Sequence, residues 1–182
     1  VEWKLDLTAA ERRAQDAFFA SLPPVGEATG SGPTVGVVLS ATDSRRNWTV
    51  AGWAEVVSEL HRRYGARCLV LGGPSRREFE LAHQLARHPL VADLPAGVLA
   101  NALGDGLRRL LWLLEGCDVV ISPDTGPLHM ARAVGTPVIG LYGRTNPRRA
   151  GPYRAFGDLL VDGYANRPGE EYSPERRYRN GM

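Results

Sequence analysis

Short, almost wholly apolar runs, each ending in a glycine-rich or polar loop and followed by a stripe of helical spacing, recur along most of this chain. Few folds accept that pattern. Val35-Gly36-Val37-Val38-Leu39, Arg67-Cys68-Leu69-Val70-Leu71, Cys117-Asp118-Val119-Val120-Ile121 and Pro137 to Leu141 read as strands buried on both faces. Between them, Val50, Trp53, Ala54, Val57, Leu60 and Tyr64 form one helical stripe, and Phe79, Ala82, Leu85 and Ala86 a second. Leu107, Leu110, Leu111 and Leu114 form a third, closed by Gly116, and Gly126 to Val134 reads as a helix ended by Gly135. His88-Pro89 breaks the second helix, Leu90 to Leu94 reads as a weaker third strand, and 95 to 106 reads as a loop. Asp158 to Val161 closes the series as an edge strand. Alternation of this kind predicts an α/β fold: a Rossmann-like parallel sheet with right-handed crossovers and helices on both faces.

Ahead of the alternation, Thr8 and Glu11 make a capping-box pattern for a helix to about Leu22, stopped by Pro23-Pro24. The Gly/Pro/Ser/Thr-rich stretch from Pro23 to Pro33 then sets this helix apart, as if it belonged to a neighbouring domain's surface. The expected organisation is an N-terminal helix and linker over 1–33, a Rossmann-like domain over 34–163 and a polar tail over 164–182.

Composition narrows the function classes. With 22 basic and 20 acidic residues the formal charge is +2, so bulk electrostatics argue for neither a nucleic-acid nor a membrane partner, and any anion site must be local. No apolar run is long enough to span a bilayer. Cys68 and Cys117 fall in expected buried strands as free thiols, and His61, His83, His88 and His129 lack zinc-ligand spacing. These features predict a reduced, cytoplasmic setting.

The chemistry concentrates in Ser122-Pro123-Asp124-Thr125-Gly126-Pro127-Leu128-His129, where a buried strand hands over to a helix. A helix N-terminus offers unpaired amides and the positive end of a dipole, which together suit a diphosphate. Thr125 adds a hydroxyl, Gly126 removes a side chain, and His129, one turn in, can donate to a phosphate or sugar oxygen. The plainer reading makes Asp124 or Thr125 an N-cap, Pro127 an ordinary early-helix proline and His129 a half-buried helix residue. A second glycine-rich strand exit at Gly140-Leu141-Tyr142-Gly143-Arg144-Thr145 speaks for a site. In such sheets ligands bind beyond the carboxyl ends of the strands, onto which the loops 40–47, 72–75, 122–126 and 142–149 open. No Gly-x-Gly-x-x-Gly follows the first strand and no Gly-Lys-Ser/Thr loop occurs, so ordinary NAD and P-loop readings find no support.

From about Thr34 to Pro152 the chain resembles the carboxy-terminal half of glycosyltransferase family 9, the ADP-heptose:lipopolysaccharide heptosyltransferases. The resemblance rests on Arg46-Asn47-Trp48, Gly72-Gly73-Pro74, Asp124-Thr125-Gly126-Pro127-Leu128-His129, and Gly143-Arg144-Thr145-Asn146-Pro147 with Gly151-Pro152. It implies half of a GT-B architecture, in which two Rossmann-like domains face each other across a cleft and the second holds the nucleotide sugar. Thr42 and Arg46 would contact the diphosphate, and Asp124, Thr125, Gly126, Pro127 and His129 would surround the diphosphate and sugar, with Asp124 accepting from sugar hydroxyls or loop amides. His129 and Arg46 would stabilise the leaving group.

The implied activity is inverting, metal-independent transfer from an ADP-sugar, with no cofactor, to a lipopolysaccharide core or similar glycolipid. The general base is expected in an N-terminal acceptor domain that these residues do not include, so the chain alone is expected to be inactive. Through such a parent protein it would work in the cytoplasm or peripherally at the inner membrane. The alternatives are a non-catalytic nucleotide or phosphosugar-binding module and a GT-B-type epimerase. Arg46 stands where the family usually has lysine, and Ser75 where it has an acidic residue expected near the ribose.

Overall fold

The computed structural model describes residues 4–25, 32–152 and 154–164. Much of the expected linker and nearly all of the expected tail therefore lie outside the described residues. The strands are β1 (Thr34–Val37), β2 (Arg67–Val70), β3 (Leu99–Asn101), β4 (Val119–Pro123), β5 (Val138–Tyr142) and β6 (Leu160–Asp162). The α-helices are α1 (Ala9–Ser21), α2 (Val50–Tyr64), α3 (Arg76–Ala86), α4 (Pro89–Ala92), α5 (Leu107–Glu115), α6 (Gly126–Val134) and α7 (Pro147–Ala150). The strands form one parallel sheet in the order β3-β2-β1-β4-β5-β6.

That order carries the main consequence for function. The chain winds outward from β1 through β2 to β3, then returns through α5 to place β4 on the other side of β1. The crossover direction reverses between β1 and β4, and doubly wound sheets bind ligands at such a reversal.

Side-chain alternation along the strands divides the interior in two. Val35, Val37, Leu39, Cys68, Val70 and Ile121 face a core shared with Trp53, Ala54 and Val57 of α2 and Ala82 and Leu85 of α3. Val38, Leu69, Leu71, Val120 and Val138 face the opposite core, with Leu110 to Leu114 of α5 and Leu128 and Ala131 of α6. Gly36 has no side chain because a Cβ there would lie 2.8 Å from Leu71 Cδ1 and 3.2 Å from both Cys117 Sγ and Val120 Cγ2. Burial pushes both thiols, Cys68 and Cys117, up to about 12 and makes them inert packing groups. Cys117 itself lies in the turn before β4 rather than in the strand.

The third strand and the helical stripes need correction. Leu90 to Leu94 is not a strand: His88 accepts from the amide of Leu90 as an N-cap, Pro89 takes the first turn, and the short helix α4 follows. The third strand lies instead at Leu99–Asn101, inside the stretch expected to be loop, and pairs with β2 through Cys68, Leu69 and Val70. Tyr64, in the first apolar stripe, and Phe79, in the second, are 62% and 43% exposed, Tyr64 as the last residue of α2 and Phe79 near the start of α3.

Helix α1 does not stand apart. Its Gln15 side chain donates to the Trp112 carbonyl at 2.7 Å and to Glu115 at 2.6 Å, while Phe18 packs edge-on against Trp112 of α5. Its capping box, with Thr8 and Glu11 exchanging hydrogen bonds, forms as expected. No helix among the described residues is long and apolar enough to cross a membrane.

Candidate functional site

The carboxyl ends of β1, β4 and β5 bring three loops together around one carboxylate. Asp124, at the exit of β4, is 5% exposed. The Arg46 guanidinium, carried by a 3-10 turn (Ser44–Arg46) in the β1 loop, donates to the Asp124 carbonyl at 2.9 Å and lies 3.4 Å from its carboxylate. His129 Nε2 sits 3.8 Å from the other carboxylate oxygen, and the Thr145 hydroxyl donates to the same carboxylate from the β5 exit. Burial alone would push the Asp124 carboxyl up. His129, Thr145 and Arg46 outweigh it and hold the carboxyl below the ordinary aspartate range. Asp124 is therefore an ionised hub that accepts from its own neighbours.

Helix α6 starts beside this hub. Thr125 occupies the N-cap position with extended backbone, yet its side chain makes no capping hydrogen bond, unlike Thr49, Ser75 and Asn146 at the starts of α2, α3 and α7. The N-cap reading thus explains Thr125 poorly and leaves its hydroxyl for another partner. A Cβ on Gly126 would meet nothing within 4 Å, so the helix start faces open space. Pro127 has no amide hydrogen, and the Leu128 amide turns back to the Thr125 carbonyl at 3.1 Å. The amides of Thr125 and Gly126 are the donors left at this end, with the helix dipole behind them.

The β1 loop is held as a unit. Asn47 Oδ1 accepts from the Ala41 amide at 2.7 Å and closes the loop base. Asp43 caps the 3-10 turn and pairs with Arg45 at 2.8 and 3.0 Å. Thr42 is exposed on the same loop. Arg46 and Trp48 of this loop line a cleft of about 480 Å³ together with Ile121, Ile139, Leu141 and Val161.

Sequence reasoning brought Arg46, Asp124, Thr125, Gly126, Pro127 and His129 to this place, and the structure gathers them on one edge of the sheet. Arg144, Thr145 and Asn146 stand out in the sequence only as part of a glycine-rich strand exit and of the family motif, with no role of their own, and they are 8%, 1% and 1% exposed. Their signal was a polar run directly after a buried strand, where only a hydrogen-bonding role justifies burial. Ser75 and Glu78 read in the sequence as a capping box, which gives Glu78 no role at the site. Ser75 caps α3, but the Glu78 carboxylate folds back to accept from the Gly73 amide at 3.0 Å and the Ser75 hydroxyl at 2.6 Å, placing an acid on the β2 exit loop after all.

Comparison with known proteins fits this geometry. The family model described as glycosyltransferase family 9 (heptosyltransferase) matches residues 1–168. The chain belongs to this family. It is 31% identical over 132 residues to the lipopolysaccharide core heptosyltransferase OpsX of Haemophilus influenzae, covering 72% of this chain and 36% of OpsX. Among solved structures, the family 9 glycosyltransferase of Veillonella parvula superposes with a TM-score of 0.68 at 23% identity, covering 87% of this chain and 42% of that one. The Escherichia coli heptosyltransferase WaaC, solved with ADP, superposes with a TM-score of 0.58 at 25% identity, covering 80% of this chain and 40% of WaaC. The chain thus spans little more than a third of the length of OpsX. The Rossmann-like sheet of the heptosyltransferases, half of the GT-B arrangement, is the fold found here.

Proposed function

We propose that these residues form the nucleotide-sugar-binding part of an inverting, metal-independent glycosyltransferase that uses ADP-heptose or a close ADP-sugar and acts on lipopolysaccharide core or a related glycolipid. One observation carries the reading: Arg46 from the β1 exit meets Asp124 from the β4 exit at the point where the winding of the sheet reverses. WaaC, whose fold superposes on this one, was solved with ADP.

The division of labour follows from charge. In an inverting transfer an acceptor hydroxyl attacks the anomeric carbon, loses its proton to a base, and the nucleoside diphosphate departs with the bonding pair. The leaving group needs positive potential fixed in advance. Arg46, the amides of Thr125 and Gly126, the hydroxyls of Thr42 and Thr125, and His129 supply it. Asp124 holds Arg46 and His129 in place, and sugar hydroxyls compete for its remaining acceptor capacity. No group of three or more His, Cys, Asp or Glu side chains suited to a metal ion converges among the described residues. The acceptor, the general base and the membrane-facing surface belong, in this reading, to an acceptor domain outside these residues.

Calorimetric titration with ADP is the direct test. Weak binding with the same affinity in magnesium and in EDTA is expected, and an isotherm that vanishes on chelation would overturn the metal-free account. His129→Ala should weaken ADP binding by about 1–3 kcal/mol, the range for a hydrogen bond to a charged group, while the circular dichroism spectrum stays unchanged. Wild-type affinity in that variant would return His129 to a structural role.

A further inference from the structure

Arg144 is an arginine at the β5 exit with only 8% of its surface exposed. A guanidinium so placed requires compensation. Its Nε lies 3.6 Å from Asp43 Oδ2, on the β1 loop. β1 and β5 are not neighbours, because β4 runs between them. With strands about 4.8 Å apart, the pair bridges roughly 10 Å and passes over the end of β4, where Asp124 sits. The next residue, Thr145, donates to Asp124 itself. Consecutive side chains of the β5 exit thus reach both loops that carry the site.

Resting on the reading of this edge as a nucleotide-sugar site, we propose that Arg144 is a positioning residue: through Asp43 it fixes the β1 loop, residues 41–47, in the geometry that presents Thr42 and Arg46 to the donor diphosphate. Asp43 is suited to this. Hydrogen bonding from Arg45 in the first place, with a smaller contribution from Arg144, holds its carboxyl down to about 2, so it stays charged across the working pH range. It also caps the 3-10 turn that aims Arg46 at Asp124. Without the tie to β5, that turn keeps its internal bonds, and the Arg46 bond to Asp124 remains to hold it to the sheet.

The test compares the 182-residue chain with Arg144→Met, Asp43→Asn, the double variant and Arg144→Lys. Arg144→Met leaves Asp43 paired with Arg45, and asparagine still caps the turn, so all four are expected to fold, with Asp43→Asn melting lower because it takes a carboxylate away from a buried guanidinium. Hydrogen exchange of the amides of 41–47, measured without nucleotide, should speed up about three- to tenfold in Arg144→Met and in Asp43→Asn. The double variant should show no further increase, and Arg144→Lys should keep exchange slow, since the 3.6 Å pair with Asp43 needs charge rather than a planar fork. ADP affinity should follow exchange: weakened by a similar factor in the first three and recovered in the lysine variant. Unchanged exchange in Arg144→Met overturns the proposal, and so does faster exchange with unchanged ADP affinity. Additive losses of ADP affinity in the double variant overturn it too, because they would make Arg144 a direct phosphate ligand. Should Arg144→Met fail to fold, Asp43→Asn alone carries the comparison, since it leaves Arg144 in place. A wild-type chain that binds no ADP would remove the donor-site reading, while the exchange data would still decide whether Arg144 holds the loop.

Discussion

Given ADP-heptose and a lipopolysaccharide-core acceptor, the 182-residue chain is expected to release no ADP above background, whereas a protein that joins these residues to an acceptor domain should turn over. In the proposed reading the donors gathered at the carboxyl edge of the sheet, Arg46, His129 and the amides of Thr125 and Gly126, serve a departing diphosphate, and none of them is a base for the acceptor. The one buried carboxylate there, Asp124, is engaged by Arg46, His129 and Thr145 and held below its ordinary range, which makes it a poor proton acceptor. Losing a general base costs a factor of about 10² to 10⁴, and losing the alignment of the acceptor costs more, since effective molarities for well-oriented groups reach about 10⁵ M or higher. A coupled assay for ADP in the presence and absence of acceptor measures this. Acceptor-dependent turnover by the chain alone, near the rate of the joined protein, would place the base within these residues and make Asp124 the first to substitute. Tight binding without turnover even in the joined protein would favour the binding-module reading, and sugar isomerisation without transfer the epimerase reading.

Asp124→Ala should destabilise the fold by about 2–4 kcal/mol and abolish measurable ADP binding. Breaking a buried ion pair from one side typically costs about 3–5 kcal/mol. The value expected here is lower because the Arg46 side chain keeps 18% exposure and can turn partly to water. Asp124→Asn keeps an acceptor for Thr145 and should lose less. The pH dependence has a definite sign. Because the folded carboxyl is held below its unfolded value, its contribution is fully present above about pH 4 and is lost as pH falls through the folded value. The stability gap between wild type and Asp124→Asn should therefore be flat from pH 5 to 8 and shrink below pH 4, as read by urea denaturation across that range. A gap that widens in acid would mean that the carboxyl is held in its neutral form.

What was legible without the structure is what local chemistry enforces. β1, β2, β4 and β5 announce themselves as short, mostly apolar runs, because a strand covered on both faces has no solvent side to fill with polar residues. Helix α6 begins at Gly126 and ends before Gly135 as expected, since Pro127 admits only a first turn and Gly135 adopts a left-handed φ of 84°. The Asp124 to His129 segment could be singled out for the same local reason: a glycine and a threonine at a helix start beside a buried strand.

Elements whose identity depends on partners were misread. Leu99–Asn101 is a three-residue edge strand whose apolar run, Val98-Leu99-Ala100, is short and broken by Asn101, and only the free hydrogen-bonding edge of β2 makes it a strand. Leu90 to Leu94 carries the composition of a strand but follows a histidine cap and a proline, which set a helical turn before any sheet edge is within reach. The site divides the same way. Residue types at each loop were visible one loop at a time, yet Arg46 and Asp124 stand 78 positions apart. No periodicity connects them, nor Arg144 with Asp43. They meet because the crossover through α5 inserts β4 beside β1 and leaves β5 one strand further on, so that three strand ends, distant along the chain, share one edge where long polar side chains can span the gap.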